Sequence, residues 1–243
     1  MAIVPPVIGH RGAAGQAPEN TVVSMVEAAR AGVRWVEFDV KLSRDNVPFL
    51  LHDDRLERTT SGEGKAADHS FAELERLDAG SWFGAAFAGE RIPSLAQICV
   101  VLAKHRLGAN VEIKPCPGRE GETGFGVGAA LKRLWPHSLP EPLLSSFSEE
   151  ALEAAAETAP DLPRALLVDD LPTDWVQRLN RLKAEAIHIS LRSAKEETIR
   201  EVVDAGYSVR VYTVNDAEAA KRLLKAGAEA IFTDRPSHLL PLI

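Results

Sequence analysis

Seven residues of this sequence could act together as one chemical centre: His10, Arg11, Glu37, Asp39, His52, Glu112 and Lys114. His10 and Arg11 end the apolar run Pro6-Val7-Ile8-Gly9. Glu37 and Asp39 alternate within residues 35–40, and Glu112 and Lys114 within residues 110–114. Residues two apart in a strand share a face, so Glu37 and Asp39 point one way while Val36, Phe38 and Val40 point the other. Three carboxylates on neighbouring strand ends repel one another unless a cation joins them. Oxygen donors of this kind suit Mg2+ or Ca2+, whereas neither histidine has a His or Cys partner at zinc-ligand spacing. Arg11 offers an anion a planar fork of donors, and Lys114 a movable point charge. Two histidines can divide the acid and base roles that displacement at phosphorus requires. The set reads as a site for a cation and a phosphate.

Those residues need a scaffold that brings strand ends together. Short apolar runs at 7–9, 35–40, 109–113, 143–145, 164–168, 186–189, 208–212 and 230–233 read as eight strands. Helices are expected between nearly all of them. One opens at Asn20 or Thr21 and closes at Gly32; one is capped by Ser94, runs through Arg106 and is ended by Gly108; one is capped by Ser148. Others start near Thr173, Ala194 and Asp216, the last two stopping at Gly206 and Gly227. Alternation of strand and helix implies parallel pairing. Eight units in 243 residues match a (β/α)8 barrel, with a doubly wound open sheet as the alternative. Parallel barrels hold ligands at the carboxyl ends of their strands, which is where the polar residues fall. Phe147, Asn215 and Asp234 follow the fourth, seventh and eighth strands on the same rim.

One stretch breaks the rhythm. From Lys41 to Pro93 the chain is too long for an ordinary loop. Asp45-Asn46 marks a turn between 40–42 and 48–51, and a short helix is expected near Phe71 to Leu77. The expected organisation is a single catalytic barrel over 1–243 with a small insertion, 53–93, at its mouth. Trp82, Phe83 and Phe87 are either the insertion's own core or an apolar wall for a substrate. Blander readings compete elsewhere: Lys114 could merely neutralise Glu112, and His188, between Ile187 and Ile189, is more often a core histidine than a catalyst. His105 suits a helix end, and His69, His137 and His238 suit loops.

Composition removes several function classes. The net charge is −7 with no basic stripe, which argues against nucleic acid and against anionic membrane surfaces. No apolar run approaches the length of a membrane span. The start of the chain lacks a basic segment, and Pro5-Pro6 interrupts its apolar stretch, which argues against a signal peptide and for the cytoplasm. Cys99 and Cys116 suit two reduced thiols. The sequence carries no signal for oligomeric state.

The motifs also resemble a family. Val7-Ile-Gly-His-Arg-Gly12, Pro18-Glu-Asn-Thr21, Glu37-Phe-Asp39, Leu51-His-Asp-Asp54 with Arg58-Thr-Thr60, and Val111-Glu-Ile-Lys-Pro115 together look like the glycerophosphodiester phosphodiesterases. The likeness continues through Asp78-Ala-Gly-Ser-Trp-Phe83, Ser145-Ser-Phe-Ser148, Tyr212-Thr-Val-Asn215 and Thr233-Asp-Arg-Pro236, and so spans nearly the whole chain. The run from Pro117 to Gly124 further resembles the family's bacterial cytoplasmic branch. The resemblance implies a (β/α)8 barrel in which Glu37, Asp39 and Glu112 hold one divalent cation. It also implies His10 and His52 as an acid/base pair, and Arg11 and Lys114 on the phosphate. Phe147, Trp82, Phe83 and Tyr212 would shape a glycerol pocket, Tyr212 standing where many members carry Trp. The implied reaction turns small glycerophosphodiesters, such as glycerophosphocholine or glycerophosphoethanolamine, into an alcohol and sn-glycerol 3-phosphate. Two rivals remain. A phospholipase would need an exposed apolar or basic rim, at which only Trp82, Phe83 and Phe87 hint. An idle phosphate-binding barrel would have no use for an acid/base pair.

Overall fold

The computed structural model describes residues 4–243, so residues 1–3 of the segment that argues against a signal peptide lie outside the described residues. β1 (Val7–Gly9) leads into α1 (Val22–Arg30), and β2 (Trp35–Leu42) turns back on itself through β3 (Pro48–Leu50). After α2 (Phe71–Leu74) and α3 (Leu95–His105) the strands and helices alternate strictly: β4 (Gly108–Ile113), α4 (Glu120–Leu134), β5 (Leu143–Ser146), α5 (Glu149–Thr158), β6 (Arg164–Val168) and α6 (Trp175–Leu182). β7 (Ala186–Ser190), α7 (Glu196–Asp204), β8 (Ser208–Tyr212), α8 (Ala217–Ala226), β9 (Ala230–Thr233) and α9 (Pro236–Leu239) complete the chain. β1 pairs in parallel with both β9 and β2, which closes eight parallel strands into a (β/α)8 barrel. β3 is the exception, an antiparallel partner of β2 outside the ring.

The caps explain where the helices begin. Thr21, Ser148 and Asp216 each accept a hydrogen bond from a backbone N–H in the first turn, and Ser94 forms a capping box with Gln97. The expected end of α3 shifts. Arg106 takes the left-handed conformation that stops it (φ 55°), and Gly108 already belongs to β4, where a Cβ would meet the Trp35 ring at 2.5 Å. α4 has no clear signature in the sequence, since its glycines weaken helix propensity. They are there for packing. A Cβ on Gly124 would lie 2.1 Å from the Ala151 carbonyl oxygen, and one on Gly128 would lie 2.3 Å from Thr158 Oγ1, both on α5. Helix propensity is given up for close contact between two helices.

The barrel is layered inside. Its lower end is plugged by Ile8, Trp35, Leu143, Ala165, Ala186, Ala230 and Phe232, mostly the early residues of their strands. Outside, Met25, Ile98, Leu102 and Leu131 pack on Val36, Phe38 and Val111 over one half of the wall. Leu179, Ile199 and Leu223 pack on Ile187, Val209 and Ile231 over the other. With apolar contacts supplied there, the upper interior is free for polar side chains. Between β3 and α3 the chain builds its own small core from Phe49, Leu51, Leu56, Leu74 and Ile92.

Packing at α4 is therefore expected to override propensity. Gly124→Ala should destabilise the protein by about 1–3 kcal/mol through overpacking. Gly121→Ala, facing only the movable Glu150 carboxylate, should be neutral or stabilising. Urea denaturation midpoints check both, and equal effects would refute the packing account.

Candidate active site

β2 and β4 run side by side in a register that sets Asp39 against Glu112. With Glu37 one step deeper on the same face, three buried carboxylates present oxygens within 4.8 Å of one another. Arg11 and Lys114 partly balance them. Arg11 Nε lies 3.4 Å from Asp39, and Lys114 Nζ donates to Glu112 at 2.7 Å and lies 3.7 Å from Asp39. Asn20 donates to Asp39 through Nδ2 (2.8 Å) and accepts from its backbone N–H (3.1 Å). The sequence of β1's loop makes this possible. Arg11 takes φ 47°, which turns its backbone N–H onto Glu37 at 2.9 Å. Gly12 follows at φ 86°, and a Cβ there would strike Ser24 Oγ at 2.4 Å. Strain of this kind persists where function requires the geometry.

The charges are unequal in consequence. Burial and the neighbouring Asp39 push the Glu37 carboxyl up to about 8. Burial, again with Asp39, also raises Glu112. Burial opposes ionisation of Asp39 too, but Arg11 and Lys114 overrule it and hold its pKa well below the usual carboxylate range. Glu37 Oε1 and Asp39 Oδ1 are buried with no hydrogen-bond partner among the described residues. Buried carboxylate oxygens left in this state fit a hard divalent cation.

Both histidines are held by carboxylates. His10 Nδ1 meets Asp234 at 2.7 Å, and Asp234 accepts from Asn215 Nδ2 at 2.7 Å. His52 Nδ1 meets Asp53 at 2.7 Å, and Asp53 accepts from Arg58 Nη2 at 2.9 Å. A carboxylate at Nδ1 fixes that nitrogen as the protonated one and leaves Nε2 for chemistry. His10 Nε2 lies 3.8 Å from Glu37. Burial lowers the His52 pKa below its ordinary value; for His10 burial is outweighed by Asp234 and Glu37, and its pKa rises.

A second tier of residues ties these together. Glu19 accepts from both Arg11 (2.7 Å) and Arg58 (2.7 Å), joining the β1 loop to the loop that carries His52. Lys41, fully buried, donates to Asp54 (2.8 Å) and to the Lys114 carbonyl (3.2 Å). Glu19, Asp53, Asp54 and Arg58 stand inside motifs of the sequence without an evident role there. Lys41 continues the alternation of Glu37 and Asp39, and that period marks its inward face. The Arg58–Asp53 pair follows no period and is legible only in the fold.

The site opens into a cavity of about 300 Å³ that His10, Arg11, His52, Glu112 and Lys114 line. Phe147 and Tyr212 line it too, stacked edge to face at 6.0 Å, with Lys114 Nζ 5.2 Å from the centre of the Phe147 ring. Lys114 thus both neutralises Glu112 and faces the cavity. Trp82 and Phe83 are not among the lining residues. They stack edge to face, Phe83 also on Phe87, outside both the cavity and the insertion's small core, and the Trp82 indole donates to the Ala79 carbonyl (3.0 Å). His188 is buried as expected of a core histidine, yet it also reaches the cavity floor.

A profile of the glycerophosphoryl diester phosphodiesterase family matches residues 10–238. A glycerophosphodiester phosphodiesterase of Caldanaerobacter subterraneus is 32% identical over 98% of this chain and 97% of its own. A phosphodiesterase of Oleispira antarctica, solved in complex with the product sn-glycerol-3-phosphate, is 40% identical and superposes with a TM-score of 0.95 over 98% of this chain and 96% of that one. A glycerophosphodiester phosphodiesterase of Agrobacterium tumefaciens is 28% identical with a TM-score of 0.82, covering 98% of this chain and all of that one.

The unpaired carboxylate oxygens make cation binding visible as stability. Adding Mg2+ or Ca2+ to chelator-treated protein at a hundredfold over Kd should raise Tm by about 5–10 °C. Glu37→Gln or Glu112→Gln should shrink that rise. Calorimetry showing no shift with either ion would contradict the cation assignment.

Proposed function

Because the chain belongs to the glycerophosphoryl diester phosphodiesterase family and is a glycerophosphodiester phosphodiesterase, we propose that it hydrolyses small glycerophosphodiesters to an alcohol and sn-glycerol 3-phosphate by acid/base catalysis between His10 and His52. Glycerophosphocholine and glycerophosphoethanolamine are the substrates in view. The observation that carries this reading is the pair of imidazoles, each oriented by a carboxylate at Nδ1, lining one cavity with three clustered carboxylates. The product bound by the Oleispira relative supports the substrate class.

Glu37, Asp39 and Glu112 would hold one Mg2+ or Ca2+ ion, which supplies positive charge to polarise the phosphodiester. Arg11 and Lys114 bind the non-bridging oxygens and take up charge that builds on them during displacement. One imidazole removes the proton of the attacking oxygen, and the other protonates the departing alkoxide. Asp234 and Asp53 hold the two rings in the tautomer that leaves Nε2 available. Arg58 and Glu19 keep His52 and Arg11 at a fixed separation. Phe147 and Tyr212 supply the apolar wall.

A cavity of about 300 Å³ suits a deacylated diester better than a diacylated lipid, which supports a small-molecule substrate over the phospholipase reading. No helix among the described residues is long and apolar enough to cross a membrane. Cys99 and Cys116, both buried and free, are in keeping with the reducing cytoplasm.

His10→Ala and His52→Ala should each lower kcat on glycerophosphocholine by about two to four orders of magnitude with the fold kept. Chelation should abolish turnover, and Mg2+ or Ca2+ should restore it. Near wild-type turnover by His52→Ala would remove it from the mechanism. Efficient cleavage of phosphatidylcholine vesicles would favour the phospholipase instead.

Asp234→Asn tests the orienting carboxylate separately. It should keep the ring packed while losing about one to two orders of magnitude in kcat, with KM little changed. A rise in KM alone would assign Asp234 to binding.

A further inference from the structure

Two polar groups on the cavity floor are unused by the chemistry above them. Asn110 precedes Glu112 by two residues on the inward face of β4, so it lies about 6.6 Å back along the strand, which at the tilt of barrel strands is about 5 Å deeper. It is 1% exposed and spends its amide nitrogen on Ser145 Oγ (2.9 Å), while its Oδ1 has no partner among the described residues. His188 of β7 is fully buried, packed at 5.0 Å on Phe232. Its Nε2 lies 3.0 Å from Arg210 Nη1. A guanidinium only donates, so this nitrogen of His188 must accept, and the ring's proton sits on Nδ1. Arg210 is itself paired with Glu229 at 2.6 Å, which fixes the arrangement. Nδ1–H has no partner among the described residues. Burial and the adjacent Arg210 keep the ring neutral. The floor therefore offers one acceptor and one donor, both buried, in the cavity that the catalytic groups line.

A hydroxyl both donates and accepts, so it is the group chemically matched to this pair. With phosphorus near the level of Glu112, the terminal hydroxyl of glycerol is five bonds away, a reach of about 6 Å at the advance per bond of an extended chain. That is enough to span the depth to Asn110. We propose that Asn110 Oδ1 and His188 Nδ1–H form a subsite for the terminal hydroxyl of the glycerol moiety, which enters head-down while the alcohol to be released points out of the mouth. Arg210 is the positioning residue that sets the His188 tautomer. The proposal rests on the reading of the reaction given above and adds the basis on which glycerol is chosen over other diols.

The test compares kcat/KM for glycerophosphoethanolamine with that for the same diester lacking the terminal hydroxyl, a propane-1,2-diol phosphodiester. A buried donor and acceptor left unpaired should disfavour the deoxy compound by about ten- to a hundredfold. Two substitutions then separate the subsite from general packing. His188→Gln places an amide oxygen towards Arg210 but no donor at the Nδ1 position, and should bring the ratio close to one. His188→Asn keeps an amide N–H near the Nδ1 position and should retain most of the preference. Equal cleavage of both compounds by the wild-type protein, or an undiminished ratio in His188→Gln, overturns the subsite while leaving the phosphodiesterase reading intact. Failure of the wild-type protein to cleave glycerophosphoethanolamine with Mg2+ or Ca2+ present overturns that reading and the subsite with it.

Discussion

Three carboxylates within 4.8 Å of one another, inside a barrel, are the constraint on which the rest of the site depends. Like charges at that separation in a poorly solvated interior cannot all stay ionised without positive charge close by. The protein supplies some of it through Arg11 and Lys114, and the imbalance is visible in the opposite directions taken by Glu37 and Asp39. What Arg11 and Lys114 leave unbalanced is the demand for a divalent cation. The two cationic side chains that balance the carboxylates, Arg11 and Lys114, also line the cavity, where the proposed reaction puts the phosphate. In the proposed function the cluster assembles ligand-binding charge that cation and phosphate complete.

The barrel makes such a cluster tolerable. Apolar packing is carried by the outer faces of the strands and by a plug at the lower end, so the upper interior can be polar without loss of the core. Layering follows from the two-residue period of each strand. β4 and the residue that follows it carry Asn110, then Glu112, then Lys114 towards the mouth, a run from uncharged through acidic to basic. Loops then lock the top. Glu19 and Arg58 bridge the β1 loop to the His52 loop, and Lys41 pins Asp54 to the end of β4. Groups far apart in sequence thereby reach one cavity with their orientations set by hydrogen bonds.

Much of this was legible in the sequence for a simple physical reason. Alternation in short apolar runs exposes inward-facing residues, so Glu37, Asp39, Glu112 and Lys114 could be read as neighbours on one rim, and cap residues such as Ser94 and Ser148 marked helix starts. What failed to show was set by packing or by contacts between loops. α4 hides behind glycines whose purpose is the approach to α5. Arg58 and Glu19 have no periodic relation to their partners. Trp82 and Phe83 read equally as a pocket wall or as the insertion's own core, and the structure puts them in neither: they stack edge to face on one another, with the Trp82 indole bonded to the Ala79 carbonyl. His188 is both a core histidine and a floor residue, a distinction that sequence alone does not draw.

The central claim is that cation and phosphate complete one charge arrangement, so each should need the other. Isothermal titration of sn-glycerol 3-phosphate into the protein tests it, once in chelator and once with saturating Ca2+ or Mg2+. The account predicts binding at least about tenfold tighter with the cation, with the reciprocal gain in cation affinity when the phosphate is present. The same affinity in chelator and in cation would contradict it.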